Sequence, residues 1–145
     1  MKKIVKKINE GFTLVEILVV VVIIGILAAI AIPTYFALTE TSYSKEAEIQ
    51  MKNMYNSATT YYNRFGTMPS DCYEEMDNKG LLDMEQSVID SWDFQCDWEF
   101  DQAERAILGT ITANSTENNS AGPGKQIVFD ILTKSYTGYG QGDEE

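Results

Sequence analysis

Hydrophobic and polar positions follow three successive patterns along this chain. A short polar leader carries four lysines among residues 2–7 (KKIVKK). The run from Phe12 to Ile32 (FTLVEILVVVVIIGILAAIAI) is apolar for 21 residues, with Glu16 as its sole charge. At 1.5 Å per residue that run spans about 30 Å, the hydrocarbon thickness of a bilayer. Beyond Pro33 the pattern turns amphipathic. Tyr43, Ala47, Met51, Met54, Ala58, Tyr62 and Phe65 recur at spacings of three and four and define one helical face. Lys45, Glu48, Lys52, Asn56 and Asn63 fall largely off that face, with Glu48 four residues ahead of Lys52 in the favourable order for a surface pair. The spacing predicts a nearly continuous helix from Phe12 to Arg64, about 80 Å long. Phe65-Gly66 ends it, with Gly66 suited to a left-handed cap.

Residues 66–90 read as a connecting region, turn-like at Thr67–Asp71, where Ser70 or Asp71 suits the cap of a short helical turn, and broken again at Lys79-Gly80. Then the period becomes two. Trp92, Phe94, Cys96, Trp98 and Phe100 alternate with Asp93, Gln95, Asp97 and Glu99, which predicts a strand with an aromatic inner face and an acidic outer one. Further strands are predicted over Arg105–Ala113 and Lys125–Thr133, with a short extension at Tyr136–Tyr139. Asn114–Gly124 between them reads as an exposed hairpin loop. The fold class expected is α+β: a long N-terminal helix, membrane-spanning in its first half, packed on a small antiparallel sheet of three to four strands.

Charge and composition narrow the function. The chain has 145 residues, 11 Lys+Arg against 22 Asp+Glu, no histidine and two cysteines. Without histidine, Ser-His-Asp and Cys-His catalysis and His-ligated zinc are excluded. The net charge of −11 argues against a nucleic-acid surface, which needs clustered Lys and Arg. No catalytic, cofactor-binding or metal-binding residue is expected, and an enzyme is not. Lysines before the span and an acidic chain after it place the N-terminus in the cytoplasm and the remainder outside. A secretory signal peptide cut at Ala29-Ile30-Ala31 is the alternative, but the run before that site is long for one and holds a carboxylate.

Gly11-Phe12 marks the point where leader meets apolar run, and the stretch Gly11–Tyr35 (GFTLVEILVVVVIIGILAAIAIPTY) resembles the N-terminal signature of type IV pilins and pseudopilins. The resemblance implies that a prepilin peptidase cuts after Gly11 and methylates the new N-terminus, Phe12. It implies that Glu16 is the motif glutamate acting in assembly, and that Gly25 and Pro33 loosen the helix. The implied organisation is a cleaved leader (1–11), a transmembrane and polymerisation helix (12–33), an amphipathic helix of the head (34–65), and a connecting region with sheet (66–145). The partners implied are further copies of the chain in a helical filament, the prepilin peptidase, the pilus assembly machinery and, before assembly, the inner membrane. Removing residues 1–11 takes away four lysines and one glutamate, leaving 7 basic and 21 acidic residues, net −14.

Elementary electrostatics points the same way. A carboxylate five residues into a membrane span is costly. Among packed apolar helices, the α-amine of Phe12 on a neighbouring copy would offset that cost and fix axial register. Other readings stay open: Glu16 can snorkel to the interface, Gly25 can serve helix packing, and Pro33 can mark either the membrane exit or a kink within a continuing helix.

Cys72 and Cys96 are an even pair in an exported domain, which favours a disulfide stapling the connecting region to the first strand. This departs from pilins whose disulfide encloses a C-terminal loop. Asp71, Glu74, Glu75 and Asp77, or Asp143–Glu145, lack the spacing of a calcium loop and read as solvated surface. Asn114-Ser115-Thr116 and Asn118-Asn119-Ser120 match the short N-glycosylation pattern, a frequent chance match. Tyr35, Phe36, Tyr43, Tyr55, Tyr61 and Tyr62 are expected to pack rather than conduct electrons. The function expected is a structural subunit of an extracellular filament, serving adhesion, motility or surface attachment. The alternatives are a pseudopilin of a type II secretion system and a monomeric membrane-anchored binding domain.

Overall fold

The computed structural model describes residues 12–141. Helix α1 runs Leu14–Phe65, 52 residues, with Pro33 inside it. Proline supplies no N–H to the turn below, and the Thr34 hydroxyl donates to the Ile30 carbonyl at 3.0 Å in that same stretch. The chain divides into two compact units, one ending at Phe36 and one beginning at Ala37. In the first, the large apolar side chains from Phe12 to Ile32 are 48–82% exposed. In the second, the rest of α1 packs on α2 (Glu74–Asn78), α3 (Gln86–Ser91) and a four-stranded sheet.

The sheet is an antiparallel meander in the order β1 (Trp92–Asp101), β2 (Ala106–Ser115), β3 (Gln126–Asp130), β4 (Ser135–Gly138). β1 keeps the expected alternation: Trp92 and Phe94 are buried, Cys96, Trp98 and Phe100 half-buried, and Asp93, Gln95, Asp97 and Glu99 exposed. Its register with β2 sets Phe94 opposite Ala113, Cys96 opposite Ile111 and Phe100 opposite Ile107, so one face of the hairpin is apolar up to Ser115, which lies opposite Trp92. Cys96 is bonded to Cys72, with Cα atoms 5.4 Å apart, which ties the connecting region to β1. Gly66 ends α1 with φ +74°, its N–H donating to the Tyr62 carbonyl at 2.8 Å.

The buried stripe of α1 is the expected one over Ala47, Met51, Met54 and Ala58 and departs from it at its two ends. Ser44, Ala47, Met51, Met54, Ala58 and Tyr61 are buried, whereas Tyr62 is half-buried and Phe65 is 44% exposed. The helix serves two neighbours at once. Tyr62 stacks on Phe100 of β1 at 3.7 Å and Tyr55 meets Phe129 of β3 edge-on, while on the adjacent flank Ser57 donates to the Leu81 carbonyl at 2.8 Å and the Tyr61 hydroxyl donates to Glu75. Glu48 is likewise not a surface group paired with Lys52. It is buried, with Lys45 Nζ on its Oε2 at 2.6 Å and Gln141 donating to its Oε1 at 2.8 Å. The C-terminal segment covers this turn of helix. Gly140 comes so close that a Cβ there would lie 2.4 Å from that of Ser44.

Two more expectations change. The third predicted strand stops at Asp130, because the Asp130 carboxylate accepts the Thr133 N–H at 2.8 Å and closes a turn; the following extension is a full strand, β4. The loop between β2 and β3 is pinned rather than free. Thr116 donates its hydroxyl to the Asp90 carbonyl at 2.5 Å, and Asn119 is buried with its amide on the Ser91 carbonyl at 3.2 Å.

Gly109 stands opposite Trp98 with φ +118°, and a Cβ there would lie 2.0 Å from the Asp97 carbonyl oxygen, a backbone atom that cannot step aside. Gly66 has the same φ sign with open space around it. Gly109→Ala should therefore cost about 1–3 kcal/mol or more, and Gly66→Ala about 1 kcal/mol or less, in thermal unfolding of the full chain; equal effects would contradict this packing. The 24-residue separation of the disulfide implies that losing it relaxes the unfolded chain by about 3.5 kcal/mol. Cys96→Ser should lower the unfolding midpoint markedly, and an unchanged midpoint would show the bridge to be dispensable.

Candidate functional site

The residues singled out for processing and assembly lie at the start of α1. Gly11 lies outside the described residues, as do the rest of the leader and the acidic group Asp143–Glu145. Phe12 is 81% exposed. Thr13 stands just ahead of the helix, and its hydroxyl accepts the Glu16 N–H at 3.2 Å. The Glu16 carboxylate in turn accepts the Thr13 N–H at 2.9 Å and the Thr13 hydroxyl at 2.7 Å. This is a reciprocal capping box, which satisfies helix N–H groups that have no partner of their own. Its signature, Thr-x-x-Glu ahead of an apolar run, is present in the sequence, and a reading of Glu16 as a charge alone does not use it.

Gly25 and Pro33 lie in the same helix, nine and seventeen residues beyond Glu16. At 1.5 Å per residue the three are spread over about 25 Å, so no pocket of one chain gathers them. A Cβ added at Gly25 would meet nothing within 4 Å. What the segment offers is a capped helix end followed by a continuous apolar surface, a shape suited to a lipid phase or to other helices.

The acidic residues of the connecting region are occupied locally. Asp71 accepts the N–H groups of Tyr73 and Glu75, both at 3.1 Å, and so caps the turn that leads into α2. Glu75 accepts the Ser70 N–H at 2.9 Å, the Ser70 hydroxyl at 3.0 Å and the Tyr61 hydroxyl. The Ser70 amide above all, then the Tyr61 and Ser70 hydroxyls, hold the Glu75 carboxyl below its ordinary pKa; the same contact raises that of Tyr61. Among the described residues no group of three or more His, Cys, Asp or Glu side chains is arranged to hold a metal ion.

The family model described as the prokaryotic N-terminal methylation motif matches residues 6–32. Over 54 residues the chain is 44% identical to the type IV major pilin protein PilA of Myxococcus xanthus, covering 37% of this chain and 24% of that one. It is 38% identical over 63 residues to the type IV major pilin protein PilE of Neisseria gonorrhoeae, covering 43% and 38%. It is 39% identical over 66 residues to the fimbrial protein EcpC of Eikenella corrodens, covering 46% and 43%. The chain thus spans between 24% and 43% of the length of these curated relatives. It joins this motif and a long apolar N-terminal helix to an α+β head, and over part of its length it is similar to proteins named as type IV major pilins.

The Glu75 network carries a pH signature. A carboxyl held below its ordinary value of 4.5 in the folded state contributes stability above that pH, and the contribution is lost as pH falls through the folded value. The stability difference between wild type and Glu75→Gln should be largest near neutrality and shrink on acidification below about pH 4.5. A difference independent of pH would show that Glu75 is not held ionised by these contacts.

Proposed function

We propose that the chain is a non-enzymatic structural subunit of an extracellular type IV pilus-like filament. A prepilin peptidase cuts it between Gly11 and Phe12 and methylates Phe12. The precursor resides in the inner membrane with its N-terminus in the cytoplasm, and polymerisation proceeds through the first half of α1. One observation carries this reading: an apolar helical surface running from Phe12 to Ile32, its large side chains exposed, lies within the methylation motif matched over residues 6–32, in a chain similar over part of its length to relatives named as major pilins. A bilayer covers such a surface before assembly, and neighbouring helices cover it afterwards. Gly25 and Pro33 would let those helices pack and adjust. Mass analysis of sheared filaments should find a chain beginning at Phe12 with one added methyl group. Gly11→Val should leave the precursor uncut in the membrane. An intact Met1 in assembled filaments would defeat the proposal.

The capping box makes Glu16 a sharper test than its charge alone. Glutamine also completes a capping box, so a role confined to the helix end predicts that Glu16→Gln assembles normally while Glu16→Ala is weakened by about 1 kcal/mol at the cap. A role against the Phe12 α-amine of a neighbouring copy predicts that both variants are processed and membrane-resident but fail to polymerise. We expect the second pattern. Normal filament numbers from Glu16→Gln would assign the residue to capping only.

A further inference from the structure

Charge is unevenly divided over the head. Residues 66–101 hold eleven acidic side chains against Lys79 alone, whereas residues 37–65 and 102–141 each hold three acidic and three basic ones. One flank, formed by the connecting region and edge strand β1, is therefore strongly negative. Its outward row includes Asp97 and Glu99, both exposed and without an ion pair among the described residues.

The β1–β2 and β3–β4 turns lie at one end of the meander. Nine described residues have left-handed backbone, and seven of them are glycine; the other two are Arg105 (φ +52°) and Lys134 (φ +58°), one in each of these turns. Glycine is the unstrained residue at such positions, and a strained backbone held by a cation at matching sites of two hairpins points to a use for the cations. Neither cation forms an ion pair with the acidic residue that opens its turn among the described residues, although the Asp130 carboxyl is held below its ordinary value first by the Thr133 N–H and then, more weakly, by nearby Lys134. Asp101 accepts the N–H groups of Ala103 and Glu104, and Asp130 that of Thr133.

Arg105 lies at the rim of a cleft of about 340 Å³ between α1 and the β1–β2 hairpin, with Tyr55, Tyr62, Asn63 and Phe100 in its walls. Lys134 Nζ sits 3.6 Å from the centre of the Tyr55 ring, so both cations flank one aromatic wall. Arg105 is exposed and makes no ion pair or side-chain hydrogen bond among the described residues. The cleft thus joins apolar area to an unengaged guanidinium, the group best shaped to take a carboxylate in a two-pronged contact.

We propose that this cleft seats the acidic β1 flank of a second copy of the chain, Arg105 and Lys134 engaging Asp97 and Glu99 of that copy. The proposal rests on the filament reading above and gives the heads their part in it. The two patches differ and lie on one chain, so the contact is heterologous, the kind that continues from copy to copy into an open helical array. Complementary charge here sets register and excludes the like-charged approach of two acidic flanks.

The test uses the full chain expressed in a filament-forming host. Arg105→Gly combined with Lys134→Gly removes both cations and relieves both left-handed positions, so the unfolding midpoint should not fall. Filament yield should drop about tenfold, and the remaining filaments should come apart at lower salt, as loss of specific charge pairs predicts. Arg105→Glu with Lys134→Glu should abolish filaments, and adding Asp97→Lys and Glu99→Lys to the same chain should restore them. Filaments of normal yield and salt resistance from the glycine pair would overturn the proposal. So would a glutamate pair that the lysine pair fails to rescue, which would assign the cleft to another partner such as an acidic glycan. Failure of the wild-type chain to form any filament would instead overturn the filament reading itself.

Discussion

The apolar surface of Phe12–Ile32 is the constraint on which the remaining features turn. Burying apolar area is the dominant favourable force in folding and association, and this stretch buries none of its large side chains within the chain. A helix is the one single-segment conformation that satisfies every internal backbone group in a lipid phase. The capping box between Thr13 and Glu16 closes its N-terminal end with side chains of the same segment. The helix end is thus capped from within the segment, whereas its apolar packing is left incomplete.

The same helix organises the head. From Ala47 to Tyr61 its stripe meets the sheet on one side and the connecting region on the other, and the Cys72–Cys96 bond draws those two partners together. In a head this small the bridge and the aromatic pairs Tyr62–Phe100 and Phe129–Tyr136 do what a larger core would do elsewhere. Tyr55, Tyr61 and Tyr62 are packing residues here, whereas Phe36 remains exposed at 63%. Polar groups follow suit, since among the described residues no buried side-chain nitrogen or oxygen lacks a hydrogen-bond partner.

Local signals were readable from the sequence, and long-range ones were not. The period-two run Trp92–Phe100, the helix end at Gly66 and the cysteine pairing each depend on a few adjacent residues or on simple arithmetic, and each is as expected. The burial of Ser57 and Tyr61 beside the expected stripe depends on their partners Leu81 and Glu75, which lie 24 and 14 residues away. The burial of Glu48 depends on Gln141, 93 residues away. α3 spans only six residues and was absorbed into the connecting region, and the pinned Asn119 looked like any polar loop residue. Nothing in helical periodicity reports such partners. At the N-terminus the motif residues are recognisable from sequence, and the Thr13–Glu16 spacing carries the capping geometry that gives Glu16 a second role.

The measurement that bears most directly on this account is a reconstruction by electron cryomicroscopy of filaments sheared from the host, at a resolution that traces side chains. The account predicts that Phe12–Ile32 helices of many copies pack together at the filament axis, away from water, with each Glu16 carboxylate beside the α-amine of Phe12 on another copy. Filaments built without this chain, or with these helices solvent-exposed at the filament surface, would contradict it.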